Sequence, residues 1–323
     1  MKNFFFCLIC ILLYTNISAQ MVTKESLIGS YHLPSRSPEG GTEIIIYPNN
    51  RFVAVFFGGM INGEWKLKGN KVNFKPDYES DPFILYGRKT TSLKDTTRVI
   101  FEKFEDNNSK YINFESNPKD SVLNMQQVFN DDSNCFDYPY ILKNVKVIQK
   151  LRFTTKQNYW DKATEYNIST FDNSDRNNDF VVVSNHAGDE RKEFYATYNN
   201  GGLIFNRSDK ISAKKDLSEL EKEEKKYFEK LANFKIMGEI MYYNKDNFAV
   251  DPSTDLKIEY YQYDKVDDRY FNPDLAKIED SIDFDYSETR NSELLPYRRI
   301  TNLKMLKQAI KINTKPLFTA KCN

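Results

Sequence analysis

The sequence predicts a mainly β, β-rich α+β fold, in which an antiparallel meander is followed by a second β region with one long helix. Short apolar runs, rich in β-branched and aromatic residues, alternate with Asn, Asp and Gly turn residues, which is typical of hairpin-connected strands. One segment, 217–234, instead repeats its apolar residues at helical spacing. With 323 residues, of which 40% are hydrophobic and 15% aromatic, the chain has ample apolar material for a folded core.

The charge balance and the hydropathy exclude two broad classes of protein. Lys and Arg together number 46, as do Asp and Glu, so the chain lacks the basic excess with which proteins bind nucleic-acid phosphates. A mean hydropathy of -0.65 is too polar for a protein with several membrane spans. We therefore expect no nucleic-acid partner and, after removal of the N-terminal segment, no transmembrane segment.

Residues 1–19 have the features of a secretory signal peptide. Lys2 precedes an apolar run over 4–13, and Ala19 ends a short polar stretch at the expected cleavage site. The run is too short to cross a bilayer, which takes about 20 residues in a helix. The mature chain is therefore predicted to begin at Gln20 and to be a secreted or periplasmic bacterial protein.

The cysteines divide into two pairs. Cys7 and Cys10 leave with the signal peptide, and Cys10 follows Ile9 instead of a small residue, so no lipid-anchor motif is present. The remaining pair, Cys135 and Cys322, form a disulfide bond under one interpretation, since two cysteines in an oxidising compartment can pair. Under the other, Cys135 is a buried thiol and Cys322 belongs to a frayed terminus.

The segment 26–74 predicts the antiparallel meander. Its apolar runs alternate with Asn and Gly pairs that take the positive φ of hairpin turns. Period-two alternation predicts that Trp65 and Leu67 lie on one face of their strand. Val72 and Phe74 are expected directly across the hairpin from them. Since further strand patterns follow, we expect a β domain over 20–116 whose sheet closes or stacks to protect its edges.

Two short motifs in this segment resemble the G-x-W signature of the lipocalins and of the secreted bacterial lipocalin-like barrels. The first is Gly29-Ser30-Tyr31, with Tyr in place of Trp, and the second is Gly63-Glu64-Trp65 on a later strand. The resemblance covers about 26–75. It implies an up-and-down barrel with an interior cavity for an apolar ligand. The alternative is that both motifs are ordinary strand starts, in which Gly permits close approach and the aromatic ring fills the core.

The rest of the chain is predicted to contain an irregular connection over 117–144 and a second β-rich region over 145–323. Within that region a helix is expected over about 217–234. Asp216 is its predicted cap, and Glu219, three residues on, can reach back to the free backbone N–H of the cap.

An aromatic cluster in the second region either fills a sheet core or stacks on sugar rings. Its members are Tyr242, Tyr243, Phe248, Tyr260, Tyr261, Tyr263, Tyr270 and Phe271.

An acidic stretch surrounds part of this cluster. Its members are Asp264, Asp267, Asp268, Asp274, Glu279, Asp280, Asp283, Asp285 and Glu288. Carboxylates paired at about 5–9 Å hydrolyse glycosides, whereas the simpler interpretation is a loop of solvated charges.

Other candidate sites are weaker. His32 is expected to be a structural histidine of the first strand, and His186 lies near the carboxylates of Asp189 and Glu190 but lacks a second His or Cys for a metal. The loop 172–179 has the alternating oxygen donors of calcium loops, but Arg176 occupies a ligand position. We therefore predict no metal, no cofactor and no catalytic residue.

These observations favour a secreted or periplasmic, non-catalytic binding or envelope-associated protein, whose partner is a small apolar ligand or a glycan. The alternative is a secreted hydrolase that acts on polysaccharide through paired carboxylates of the acidic stretch.

The protein isolated from its native host is predicted to begin at Gln20 and to carry no lipid, because the apolar run is short and Cys10 lacks a lipid-anchor motif. Intact-mass spectrometry measures this directly. A mass that includes Met1, or an added diacylglycerol, would contradict the prediction.

Overall fold

The computed structural model describes residues 22–35, 40–104, 109–114, 122–130, 138–156, 165–185, 192–206, 210–235, 237–251, 256–281 and 289–319. The chain forms two compact units, each built from two chain segments. Met1–Tyr78 and Asp189–Ile236 form the first, here called the barrel unit, and Glu79–Gly188 and Met237–Asn323 form the second, the sandwich unit. The predicted signal peptide, Cys135 and Cys322 lie outside the described residues.

The barrel unit contains a closed eight-stranded antiparallel barrel. Its strands are β1 (Gly29–Leu33), β2 (Thr42–Ile46), β3 (Arg51–Phe56), β4 (Gly59–Lys68), β5 (Lys71–Pro76), β14 (Phe194–Asn199), β15 (Gly202–Phe205) and β16 (Ile211–Lys215). Neighbouring strands follow chain order, so the barrel is an up-and-down meander interrupted by one long insertion between β5 and β14. The predicted mainly β fold class is confirmed.

The hairpin turns form where the sequence predicts them. Asn50, Gly58, Gly69 and Gly201 have φ values of 61°, 77°, 64° and 83°, which Gly and Asn adopt more easily than other residues. The strand register also agrees with period-two alternation, because Trp65 pairs with Phe74 and Leu67 with Val72.

Aromatic side chains fill the barrel interior. Trp65, Phe52 and Phe74 are fully buried, and the Phe74 ring lies 5.1 Å from that of Phe52 and 4.8 Å from that of Phe194. The indole N–H of Trp65 donates to the carbonyl of Tyr47 at 2.9 Å. Eight strands enclose a space just wide enough for side chains to fill, and here these rings form a packed core.

Short helices accompany the barrel. Helix α1 (Lys24–Leu27) precedes β1, and its Leu27 carbonyl accepts a hydrogen bond from the buried Tyr31 hydroxyl at 2.8 Å. The predicted helical segment over 217–234 is divided in two, a 3-10 turn at Leu217–Glu219 and helix α2 at Lys222–Ala232. The division occurs because Leu220 and Glu221 have extended backbones.

Helix α2 covers the outer face of β2 and β3. Phe228, Leu231 and Ala232 pack against Ile45 and Val53, whose side chains point away from the barrel interior. The predicted capping contact is present in the 3-10 turn, where the Glu219 carboxylate accepts the backbone N–H of Asp216 at 3.1 Å.

The sandwich unit contains two sheets. The first has eight strands, β6 (Phe83–Arg88), β7 (Thr96–Glu102), β10 (Tyr140–Lys146), β13 (Asp179–Ser184), β17 (Ile240–Asn244), β18 (Gln262–Asp264), β19 (Arg269–Phe271) and β20 (Glu293–Ile300). The second has six strands, β8 (Lys110–Asn113), β9 (Leu123–Gln127), β11 (Lys150–Thr155), β12 (Tyr166–Asp172), β21 (Lys304–Gln308) and β22 (Ile310–Asn313).

The main core of this unit lies between the two sheets. Phe83 and Phe101 of the first sheet pack with Phe153 and Phe171 of the second. The opposite face of the first sheet is also buried, around Tyr86, Tyr243 and Tyr297. Helix α3 (Pro273–Ser281) joins β19 to the segment that leads into β20. Among the described residues, no helix has both the length and the apolar character needed to cross a membrane.

Replacing Trp65 with Ala is predicted to lower the free energy of unfolding by about 3–5 kcal/mol, because a large side chain is removed from a packed core. Denaturant titration of the two proteins measures the difference. Tyr227→Ala is the matched control, since Tyr227 lies on α2 with 58% of its surface exposed. The core interpretation fails if both variants unfold at the wild-type midpoint.

Candidate ligand-binding pocket

A pocket of about 370 Å³ lies in the sandwich unit. Helix α3, the 3-10 helix Ile258–Tyr260 and the residues before β20 line it. Its lining residues are Leu256, Lys257, Tyr260, Tyr261, Asn272, Leu275, Ile278, Glu279, Thr289 and Asn291. The volume falls at the lower end of the range of about 300–1,000 Å³ that holds small ligands.

The pocket wall is largely apolar because of how α3 begins and which face it presents. Asn272 accepts the backbone N–H groups of Asp274 and Leu275 at 3.0 and 3.1 Å, and Pro273 follows it at the first helical position. From this start, Leu275, Ile278 and Glu279 follow at spacings of three and four residues, so all three lie on the same face of the helix. That face lines the pocket.

Two of the predicted aromatic residues form another part of the wall. The ring of Tyr260 is 65% exposed, and the ammonium of Lys257 lies 5.9 Å from its centre. Tyr261 is held more firmly, because its hydroxyl donates to the carbonyl of Asn291 at 2.9 Å. Burial, together with the nearby Glu279 carboxylate, raises the pKa of Tyr261 above its usual value.

Glu279 is the one member of the acidic stretch that lines the pocket among the described residues. Its carboxylate accepts the backbone N–H of Ser292 at 2.8 Å and the Ser292 hydroxyl at 2.5 Å. The ammonium of Lys245 lies 4.0 Å away. These contacts fix the carboxylate in place and occupy both of its oxygens with hydrogen bonds inside the protein.

Several other acids of the stretch are engaged in ion pairs and turns. Asp264 accepts the backbone N–H groups of Asp267 and Val266, which lower the pKa of its carboxyl. Burial alone would raise the pKa of Asp268, but hydrogen bonds from Arg298 and Tyr263 lower it overall. The two Arg298 contacts measure 2.6 and 3.0 Å. Asp264 and Asp268 therefore both take part in structural contacts, and their side chains are 37% and 13% exposed, respectively.

The remaining acids of the stretch are spread over the surface or lie outside the described residues. Asp267 accepts the Thr91 hydroxyl at 2.6 Å, Asp274 pairs with Lys277 at 3.1 Å, and Asp280 is exposed. Asp283, Asp285 and Glu288 lie outside the described residues.

The hydrolase alternative requires a second carboxylate facing Glu279. Among the described residues that line the pocket, Glu279 supplies the only carboxylate. Hydrolysis through paired carboxylates stays a prediction.

The loop 172–179 acts as a structural turn. Lys304 and Lys150 hold the pKa of the Asp172 carboxyl below its usual value. The Asn173 side chain binds the backbone of Ile148 and Asn177, which closes the turn. Across the part of the chain described, no group of three or more His, Cys, Asp or Glu side chains could hold a metal ion.

The predicted histidine sites have different outcomes. The His32 ring is exposed on β1, where its Nδ1 lies 3.2 Å from the Glu43 carboxylate. His186, Asp189 and Glu190 lie outside the described residues.

A buried polar row in the first sheet has no counterpart among the sequence predictions. Asp179 is fully buried and accepts the Arg98 guanidinium at 2.7 and 2.6 Å, and the Nε of Arg88 lies 3.8 Å away. The three residues are neighbours on β6, β13 and β7, since Asp179 pairs in register with both arginines. Burial alone would lower the pKa of Arg98, but its hydrogen bonds to Asp179 and Tyr297 raise it overall.

Comparison with models of known protein families, with curated proteins and with solved structures finds no match for this chain.

Asp179→Asn is predicted to lower the free energy of unfolding by about 3–5 kcal/mol, because the substitution leaves buried guanidinium charge without its partner. Thermal or denaturant unfolding measures the loss. Asp280→Asn, at an exposed carboxylate of α3, is the control and should change stability by no more than about 0.5 kcal/mol. Equal stability of the two variants would show that the buried row is energetically unimportant.

Proposed function

We propose that the protein is a secreted or periplasmic, non-catalytic binding protein, and that the pocket beside α3 is its ligand site. The observation that carries the proposal is the composition of this pocket. Leu256, Leu275 and Ile278 form an aliphatic wall, and Tyr260 and Tyr261 add two rings. Ligand pockets commonly combine such an apolar wall with a few fixed polar groups.

The polar groups of the pocket favour a ligand that binds mainly through an apolar or ring-shaped part. Asn272 is occupied by the start of α3, Glu279 by Ser292, and the Tyr261 hydroxyl by Asn291. Apart from the exposed ammonium of Lys257, a strongly polar ligand would therefore find few unused hydrogen-bonding groups to replace its contacts with water. The side-chain oxygen of Asn291 is an exception, since it is buried and accepts no hydrogen bond from the described residues.

These features support a small apolar ligand, or a glycan whose ring face stacks on Tyr260. The barrel unit has the other features that the lipocalin resemblance implies, eight antiparallel strands in up-and-down order, and we infer a lipocalin-like barrel. Its interior holds packed rings, so this proposal assigns the ligand to the sandwich unit and a supporting role to the barrel. The N-terminal signal-like segment supports the secreted or periplasmic location.

Tyr260→Ala is predicted to weaken binding of the fluorescent probe anilinonaphthalene sulfonate about tenfold, because ring stacking contributes about 1–3 kcal/mol. The dissociation constant is measured by fluorescence titration. The matched control is Tyr227→Ala, since Tyr260 and Tyr227 are 65% and 58% exposed but only Tyr260 lines the pocket.

Displacement of the probe then distinguishes the two ligand classes. Release by decanoate but not by a chitin trisaccharide indicates an apolar ligand, and the reverse indicates a glycan. The pocket assignment is wrong if Tyr260→Ala binds the probe as the wild type does.

A further inference from the structure

The hairpin that joins β3 to β4 carries an exposed aromatic tip. Phe57 is 72% exposed and Phe56 39% exposed. The turn between the strands consists of Phe57 and Gly58, and Gly58 has φ 77° with open space around the position of a Cβ. Two large apolar rings therefore face solvent at one end of the barrel unit.

The hairpin holds the Phe56 ring in place. Phe56 pairs with Gly59 across the two strands, and a Cβ at residue 59 would lie 3.0 Å from the Phe56 ring. The absence of a side chain at Gly59 lets this ring lie against the neighbouring strand. Strand pairing continues up to the tip, so much of the backbone there is hydrogen-bonded within the hairpin.

The tip projects beyond β5 on one side, whereas on the other side β2 pairs with β3 up to Glu43 and Val55. The segment that forms the tip itself lacks charge. The β4–β5 pairing ends at Gly63 and Pro76, whereas β4 continues to Gly59 at the tip. The segment 52–63, with the sequence FVAVFFGGMING, contains no Lys, Arg, Asp or Glu. Edge and turn segments that remain in water usually carry charges that prevent apolar contacts.

We propose that this tip inserts Phe56 and Phe57 into the interfacial region of a phospholipid bilayer. Aromatic side chains are favoured at that depth, and a hydrogen-bonded hairpin brings few unsatisfied backbone groups with it. A protein partner fits less well, because two rings on a convex turn cannot supply the roughly 800 Å² that each partner contributes to a stable interface.

The attachment is reversible and depends on apolar contact instead of charge. Burial of one Phe ring changes a partition coefficient by about tenfold or more. Because the segment has no basic residues, binding should be similar for neutral and anionic lipids and should change little with salt. The inference is independent of the pocket beside α3, so either proposal can fail alone.

The experiment is sedimentation of the mature chain with phosphatidylcholine vesicles and, in parallel, with vesicles of phosphatidylcholine and phosphatidylglycerol in equal parts. The wild type should bind both, and Phe57→Ser should bind each about tenfold more weakly. Tyr227→Ser replaces an aromatic side chain that is 58% exposed on α2, and it should bind as the wild type does. Circular dichroism of each variant checks that the fold is kept.

A third variant, Phe57→Trp, reports the position of the tip. Its emission, after subtraction of the wild-type emission from Trp65 and Trp160, should shift to the blue with vesicles and should be quenched by brominated lipid acyl chains. The proposal is overturned if the wild type does not sediment, if Phe57→Ser sediments equally, or if the added Trp is not quenched. Self-association of the wild type that Phe57→Ser abolishes, without lipid binding, would instead identify a second copy of the chain as the partner.

Discussion

Closure of the barrel between β5 and β14 is the constraint on which the rest of this structure depends. Five strands encoded before residue 79 cannot close, and their free edges would expose unpaired backbone groups. Three strands encoded after residue 188 complete the cylinder, through pairing of Phe74 with Phe194 and of Tyr31 with Lys214. The rings of Phe74 and Phe194 stack at 4.8 Å where the first of these pairs forms.

This closure determines how the chain is divided. The segment between β5 and β14 must leave the barrel and return to an adjacent strand, so it enters the other unit as an insertion whose two ends meet at the β5–β14 pair. The sandwich unit then needs strands from beyond residue 236 to complete its first sheet, since β20 pairs with β6 and β17 pairs with β20. Each unit is therefore complete only when distant chain segments have paired, which costs more loop-closure entropy than local hairpins do.

The local structure could be read from the sequence because its causes are local. Glycine and asparagine at Asn50, Gly58 and Gly69 permit the positive φ of tight turns, and alternation around Trp65 gives the strand register. The closing strands could not be identified in this way. Nothing in the composition of β14–β16 distinguishes a strand that completes the barrel from one that joins the sandwich, because both need the same alternation.

Part of the candidate pocket could be predicted from the sequence. Tyr260, Tyr261 and Glu279 were predicted as members of the aromatic cluster and the acidic stretch, but helix α3 was not predicted. The signals for α3 were present, since Asn272 and Pro273 form a good helix start and Leu275 and Ile278 share a face. The row of Arg98, Asp179 and Arg88 gave no such signal. Its members are up to 91 positions apart, counted from Arg88 to Asp179, and they meet only through the strand order of the folded sheet.

The resemblance to lipocalins and the proposed site of ligand binding concern different parts of the chain. A barrel of eight strands has room either for a filled core or for a small ligand. In this chain Phe52, Phe74 and Trp65 occupy that space and are fully buried. They pack in one cluster and so stabilise the barrel. In the sandwich unit, Tyr260 and Ile278 remain 65% and 49% exposed beside a cavity. Apolar surface that the fold itself has not buried can still contribute binding energy, and for an enclosed small ligand that surface lies beside α3 and not in the barrel interior.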